Sequence, residues 1–185
     1  MGLFLNTAMH HSNTPSPWIE RWSHLLPPNS QVLDLACGHG RHMQFLQQLG
    51  HTVLGVDRDA AALQTASAYG PVLQADVENN PWPLTQKFDA VVVTNYLWRP
   101  LWPSLLGSLK PDGVLLYETF AEGNETVGRP ARPEFLLRRG ELFEVCAGLH
   151  VVAFEQGFAP NPDRYVQRIA AIASQENAPW PLATR

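Results

Sequence analysis

Hydrophobic residues recur along this chain with two different spacings. Short apolar runs rich in Val, Leu and Ile predict strands, and segments with apolar residues every three or four positions predict helices. The predicted strands are 31–35, 52–56, 72–75, 88–94, 113–120, 150–158 and 165–173. The predicted helices are 18–26, 41–49, 60–68, 101–109 and 140–147. Alternating strands and helices are typical of a doubly wound α/β fold, in which helices cover both faces of a mostly parallel sheet.

Turn residues refine this pattern in the second half of the chain. Residues 111–113 (Pro-Asp-Gly) predict a turn before the fifth strand. The last two strands are separated only by the turn 161–163, so they must run antiparallel. Between them and the fifth strand, residues 121–133 are polar, lack apolar periodicity and predict a long loop.

Length and charge limit the classes of protein to consider. A chain of 185 residues with 45% hydrophobic residues is long enough for one domain with a substantial core. We expect an extension at 1–17, the domain at 18–173 and a tail at 174–185. The net charge is -4 and no run of Lys and Arg is present, so nucleic acid is not an expected partner. No apolar run approaches the ~20 residues that cross a bilayer, so no membrane partner is expected either.

The cysteines and the amino terminus point to the cytoplasm. Cys37 and Cys146 lie far apart in apolar segments, a pattern typical of reduced thiols rather than of a disulfide or a metal site. Residues 1–17 lack the charged leader and long apolar stretch of a secretory signal. We therefore expect a cytoplasmic protein without a metal site.

A glycine-rich turn joins the first predicted strand to the following helix. Within residues 32–41, Gly38 and Gly40 stand where backbone can approach a ligand closely and helix amides can point at an anion. Such a turn is typical of nucleotide binding. Glycines that serve only tight packing are the alternative interpretation.

Acidic residues follow the next two predicted strands. Asp57 ends the second strand, a position from which a carboxylate can accept the hydroxyls of a ribose. The alternative role for Asp57 is to cap the following helix, but Asp59 suits that role better. Asp76 follows the third strand and can accept from an exocyclic amine or cap its own loop. The carboxyl ends of parallel strands meet in one crevice, which predicts a common binding site there.

Two cofactor classes use such a site. A nicotinamide-dependent oxidoreductase also has glycines and an acidic residue after the second strand. However, Met43 interrupts the Gly-x-Gly-x-x-Gly pattern, and Asp34 stands within the strand before the glycines. Both features favour a different cofactor.

Residues 32–41, 54–59, 74–77 and 88–95 together resemble class I S-adenosylmethionine-dependent methyltransferases. The resemblance implies a Rossmann-like seven-stranded sheet of order 3-2-1-4-5-7-6 with strand 7 antiparallel, and the segment 165–173 supplies that strand. It also implies S-adenosyl-L-methionine as cofactor and S-adenosyl-L-homocysteine as product.

The resemblance further implies cofactor-binding residues. Those around the methionine part would be Asp34, Ala36, Cys37, Gly38, His39 and Gly40, with Arg41 at its carboxylate. Asp57 and the adjacent Arg58 would lie at the ribose, Asp76 and Val77 at the adenine, and Asn95 beside the sulfonium. The sequence departs from the family at His42, where a third glycine is common.

The sequence identifies the residues that contact the methyl acceptor less clearly than those that contact the cofactor. We expect a small-molecule methyl acceptor, with Tyr96, Arg99, Arg129 and Arg132 as candidate contacts. The loop 121–133 is a candidate lid whose arginines offer charge to an anionic group, with a solvated connector as the alternative. Candidate general bases are Glu118, His39 and His42.

A second, weaker resemblance concerns the carboxyl-terminal part. Residues 117–120, 128–130 and 133–137 resemble small bacterial methyltransferases of the tellurite-resistance type, which implies a small acceptor or a soft nucleophile. The leading prediction is thus a methyltransferase acting on a small molecule. A nicotinamide-dependent oxidoreductase and a non-catalytic module that binds S-adenosylmethionine are the alternatives.

Overall fold

The computed structural model describes residues 14–174 and 180–182, and these residues form a seven-stranded sheet of order 3-2-1-4-5-7-6. The strands are β1 (Gln31–Leu35), β2 (Thr52–Asp57), β3 (Val72–Gln74), β4 (Phe88–Thr94), β5 (Leu109–Phe120), β6 (His150–Ala159) and β7 (Arg164–Ile172). β7 runs antiparallel to both β5 and β6, whereas β1 to β5 pair in parallel. The predicted fold class and strand order are confirmed.

Helices cover both faces of this sheet. They are α1 (Pro17–Trp22), α2 (Arg41–Gln48), α3 (Ala60–Ala66), α4 (Trp102–Gly107) and α5 (Glu141–Val145). The apolar side chains of α1, α2 and α3 pack on one face, and those of α4 and α5 pack on the other. The strands between them are apolar on both sides, as expected for a sheet buried on both faces. None of the described helices is long and apolar enough to span a membrane.

The turn predicted at 111–113 lies inside a strand. β5 begins at Leu109, which pairs with Phe88, and the register then shifts so that Ala90 pairs with Val114. Residues 110–113 form the irregularity, and Asp112 has a positive φ of 61°. The turn residues were recognised correctly, but they produce a bulge in a longer strand rather than its start.

The loop predicted at 121–133 is more ordered than its composition indicates. It contains a short 3-10 helix at Asn124–Thr126, and a second, Pro133–Phe135, begins at its end. Ala121 bridges to Leu137, so the segment is held at both ends. The loop was predicted because apolar periodicity is absent. Its order comes instead from local hydrogen bonds and from the contact between Ala121 and Leu137.

Candidate functional site

The carboxyl ends of the parallel strands open into two adjoining cavities. The first chamber, of about 300 Å³, lies among the loops that follow β2, β3 and β4. The second chamber, of about 1060 Å³, lies between the start of α1, the glycine turn, the end of β5 and the β6–β7 turn. Residues that line both chambers are Ala36, Asp57, Arg58, Asn95 and Phe120. The two chambers therefore form one continuous crevice at the predicted edge of the sheet.

The two glycines of the turn have different roles. A Cβ on Gly40 (φ 82°) would lie 2.9 Å from the Cα of Ala66, so this glycine allows α2 to pack on α3. A Cβ on Gly38 (φ 53°) would have no other described atom within 4 Å. Gly38 thus leaves its backbone open toward the second chamber, whereas the packing interpretation of the glycines holds for Gly40.

Asp57 organises the turn as well as lining the crevice. One carboxylate oxygen accepts the N–H of Gly38 at 2.8 Å, and the other accepts the N–H of Asp59 at 2.9 Å. Asp59 itself caps α3 by accepting from Ala61 and Ala62, as predicted. An ionised carboxylate has about four acceptor positions, so Asp57 keeps capacity for a ligand. The contact with Asp59 corresponds to the helix-start role considered as the alternative, whereas the contact with Gly38 was not predicted.

Asp76 holds its own loop together. Its carboxylate accepts from the side-chain amide of Asn79 at 2.8 Å and from the N–H groups of Glu78 and Asn79. These hydrogen bonds, led by that of the Asn79 side chain, lower the pKa of Asp76. The loop-capping alternative is therefore observed, while Asp76 and Val77 also line the first chamber.

The acidic residue before the glycines is buried and incompletely paired. Asp34 is 1% exposed, and its Oδ2 has no hydrogen-bond partner among the described residues. Burial raises the pKa of Asp34 to about 7, against the opposing effect of Arg41. The neighbouring Cys37 thiol packs on Gly55, where a Cβ would lie 2.8 Å from its sulfur. Burial raises the pKa of the Cys37 thiol, so Cys37 acts as a packing group.

His42 connects α2 to the segment before α1. Its Nε2 accepts the N–H of Ser16 at 3.1 Å, and its Nδ1 lies 3.5 Å from the hydroxyl of Thr94. Burial lowers the pKa of His42 to about 3. Because Nε2 must be unprotonated to accept, the ring is neutral with its proton on Nδ1.

A buried ionic network lies below the second chamber. Glu118 is fully buried; its Oε1 accepts from the Ser16 hydroxyl at 3.0 Å and lies 3.4 Å from Arg164. Its Oε2 lies 2.6 Å from the Nε of Arg168. Sequence reasoning missed both arginines. The available signal was a charged residue, Arg168, in the middle of an apolar strand, which indicates a buried partner.

The candidate acceptor contacts do not all reach the crevice. Asn95 lines both chambers, Tyr96 lines the first and Arg129 the second. Arg99 instead makes a bidentate pair with Glu141, at 2.6 and 2.8 Å. Arg132 forms an exposed pair with Glu134 and lines neither chamber. Among the residues predicted in this region, the crevice thus brings together Asn95, Tyr96 and Arg129.

The two remaining candidates lie at the second chamber. His39 is exposed and Arg41 is half-buried, and both line it. Arg41 lies within 3.5 Å of the Thr94 hydroxyl and of the Thr14 carbonyl. Across the described residues, no cluster of three or more His, Cys, Asp or Glu side chains could hold a metal ion.

Comparisons with known proteins agree with this architecture. Residues 32–113 match the family described as methyltransferase domain. The chain is 34% identical over 116 residues to YqeM of Bacillus subtilis (strain 168), a match that covers 55% of this chain and 45% of YqeM. The chain therefore spans less than half the length of this relative.

Solved methyltransferases share the fold at low sequence identity. An S-adenosylmethionine-dependent methyltransferase from Methanosarcina mazei superposes with a TM-score of 0.68 at 14% identity, covering 88% of this chain and all of that one (100%). TehB from Haemophilus influenzae has a TM-score of 0.67 at 18% identity, covering 81% of this chain and 59% of TehB. The N-methyltransferase NodS from Bradyrhizobium japonicum WM9 has a TM-score of 0.66 at 16% identity, covering 86% and 98%. Residues 32–113 thus match a methyltransferase domain, and the described residues have the fold of solved S-adenosylmethionine-dependent methyltransferases.

Proposed function

We propose that this protein transfers the methyl group of S-adenosylmethionine to a small-molecule acceptor. The observation that carries the proposal is the pair of chambers that meet at Asp57 and Asn95. The first chamber has the size for an adenosine and a mostly apolar lining that includes the carboxylates of Asp57 and Asp76, and the second leaves room for a methionine chain and a second molecule. A crevice of two connected compartments suits a reaction between two bound molecules.

The residues present fit the cofactor. Gly38 leaves open space on the chamber side of its backbone, and the carboxylate of Asp57 keeps acceptor positions for ribose hydroxyls. Asp76 and Val77 would hold the adenine in the first chamber. At the glycine turn, the unpaired oxygen of Asp34 suits the cofactor amine, and Arg41 suits its carboxylate.

The bound cofactor supplies an electrophilic methyl group on a good leaving group. The work left to the chain is to align the acceptor and to keep water out. Asn95, with a positive φ of 54° at the junction of the chambers, and Phe120 beside it are the residues we assign to this alignment.

Two of the three candidate general bases, His42 and Glu118, are engaged elsewhere. His42 is neutral and hydrogen-bonded to Ser16, and Glu118 is held by Ser16 and Arg168. Neither is free to remove a proton from an acceptor. His39, which lines the second chamber, is the remaining candidate base for an acceptor that must lose a proton. The two cysteines are free thiols, in keeping with a reducing compartment such as the cytoplasm.

Transfer of a labelled methyl group tests the proposal. Purified protein is incubated with labelled S-adenosylmethionine and panels of small amines, thiols and carboxylic acids, and labelled products are separated from the cofactor. We expect turnover of at least one class, lost in Asp57→Asn but retained in the surface variant Arg132→Gln. Cofactor binding without transfer to any panel favours the non-catalytic module. Absence of cofactor binding contradicts the proposal.

A further inference from the structure

Two connections form the outer wall of the second chamber, and each contributes an arginine. Arg129 comes from the segment after β5, and Arg164 follows the β6–β7 turn. Asn124, which is 1% exposed, holds the two connections together. Its side-chain oxygen accepts the N–H of Tyr165 at 3.1 Å, and its amide donates to the carbonyl of Pro130 at 2.9 Å. Both contacts are to the backbone of residues next to the arginines in sequence, so they fix the backbone at Arg129 and Arg164.

Arg164 is mostly buried but poorly paired. Its side chain is 18% exposed, and its contact with Glu118, at 3.4 Å, is long for a charged hydrogen bond. Its Nε is buried and makes no hydrogen bond within the described part of the chain. Glu118 cannot compensate further, because it already accepts from Ser16 at 3.0 Å and lies 2.6 Å from Arg168. One carboxylate is therefore shared by two guanidinium groups.

A third arginine lies near this wall, and the nearby carboxylates differ in exposure and pairing. Arg41 lines the same chamber and lies near both Glu118 and Arg164. Asp34 offsets little of this charge, because its pKa of about 7 leaves it near half-protonation at neutral pH. Glu155 is paired with Arg21 and Arg168. The other carboxylates of the chamber lining are Asp57 and Asp59 at the glycine turn, and the exposed Glu20 and Asp163.

We propose that the methyl acceptor is an anion whose carboxylate binds Arg164, with Arg129 adding charge at the rim. The inference rests on the proposed function and specifies the acceptor class of the same site. A buried guanidinium without a full partner is costly, and a carboxylate in the chamber supplies that partner through paired, charge-assisted hydrogen bonds. The cofactor also carries a carboxylate, which we assign to Arg41. The test must therefore distinguish binding of the cofactor carboxylate from binding of the acceptor carboxylate.

The first arm of the test measures the cofactor alone. S-adenosylhomocysteine is titrated calorimetrically into the wild type, Arg164→Gln, Arg164→Lys and the exposed control Arg132→Gln. We expect the same dissociation constant within about twofold in all four proteins. If the wild type does not bind, the proposed function itself fails; if only Arg164→Gln weakens binding tenfold or more, Arg164 serves the cofactor and the inference is overturned.

The second arm measures carboxylate binding to the complex saturated with S-adenosylhomocysteine. The probes are formate, acetate, benzoate and malonate, each compared with its uncharged amide. We expect at least one acid to bind better than its amide, and Arg164→Gln to weaken that acid by about tenfold to a hundredfold. Arg164→Lys keeps the charge and should retain part of the affinity, and Arg132→Gln should retain all of it.

Either of two results in the second arm overturns the inference while leaving the cofactor site intact. One is that no acid is preferred over its amide by the wild-type complex. The other is that the preference persists in Arg164→Gln. If Arg164→Gln does not fold, two measurements still decide the outcome. One is whether the wild type binds an acid better than its amide, and the other is whether Arg164→Lys weakens that acid.

Discussion

Asp57, which we propose contacts the ribose, also has a structural role. Its carboxylate accepts backbone N–H groups from Gly38 and Asp59, so it shapes the glycine turn before any ligand arrives. A carboxylate directly after a strand was recognisable from the sequence. Its partners were not, because Gly38 lies nineteen residues away in the chain and is brought close only by the pairing of β1 with β2.

We predict that Asp57→Ala weakens S-adenosylhomocysteine binding by about 1.5–3 kcal/mol, because charged hydrogen bonds to the ribose are lost. It should also lower stability by about 1–3 kcal/mol, since the amide of Gly38 loses its acceptor. Asp59→Ala is the matched control. It removes the cap of α3, which should cost about 1 kcal/mol of stability without changing the dissociation constant. Equal cofactor affinity in both variants and the wild type, measured by calorimetry, would contradict the assignment of Asp57.

Two buried groups give opposite pH dependences of stability. His42 has a lowered pKa of about 3, so on acidification the unfolded chain binds a proton that the folded protein excludes, and stability falls below about pH 6.5. Asp34 has a raised pKa of about 7, so below that pH the folded protein binds the extra proton and stability rises. Between pH 7 and pH 5 each effect amounts to about 2 kcal/mol.

We therefore predict divergent pH profiles for two single variants. His42→Asn keeps the effect of Asp34 and should gain stability, relative to wild type, as the pH falls from 7 to 5. Asp34→Asn keeps the effect of His42 and should lose stability, relative to wild type, over the same pH range. Urea unfolding at the two pH values measures both. Parallel profiles for the two variants would show that these groups titrate normally in the folded protein.

At the level of elements, the ion pair between Arg99 and Glu141 helps to secure the segment between β5 and α5. Arg99, in the 3-10 helix Arg99–Leu101, pairs with Glu141 at the start of α5 and also donates to the carbonyls of Glu134 and Leu136. Glu141 further accepts the N–H of Arg138 at 2.7 Å. A residue predicted to touch the acceptor thus ties three parts of the chain together. The position of Arg99 shortly after β4 correctly indicated that this residue lies near the crevice. It did not indicate that the side chain points toward Glu141.

We predict that Glu141→Ala destabilises the protein by roughly 3 kcal/mol, the lower end of the range for a broken buried pair, because Glu141 is 4% and Arg99 34% exposed. Arg132→Ala breaks the exposed pair with Glu134 and should cost about 0–1 kcal/mol. Urea unfolding compares the two. A loss for Glu141→Ala no larger than that for Arg132→Ala would show that the pair contributes little to holding the segment.

Across the whole molecule, the predictable features are those with a local cause. β1 and β4 begin and end where their apolar runs predict, and the antiparallel β7 follows from the short turn before it. The order of the strands came from the family resemblance of the glycine turn and its neighbours, and the structure confirms it. The network around Glu118 had one local signal, the charged Arg168 in an apolar strand, but its partners could not be identified because Ser16, Arg164 and Arg168 meet Glu118 only in the folded sheet.

We propose that the joined chambers bind S-adenosylmethionine and its product. The most direct test of this proposal is the free energy of unfolding with S-adenosylhomocysteine present at a hundredfold excess over its dissociation constant. Because a ligand that binds only the folded state stabilises it by mass action, we predict an increase of about 2.7 kcal/mol. NADH at the same concentration should produce none. Stabilisation by NADH, with no effect of either S-adenosylmethionine or S-adenosylhomocysteine, would contradict the account.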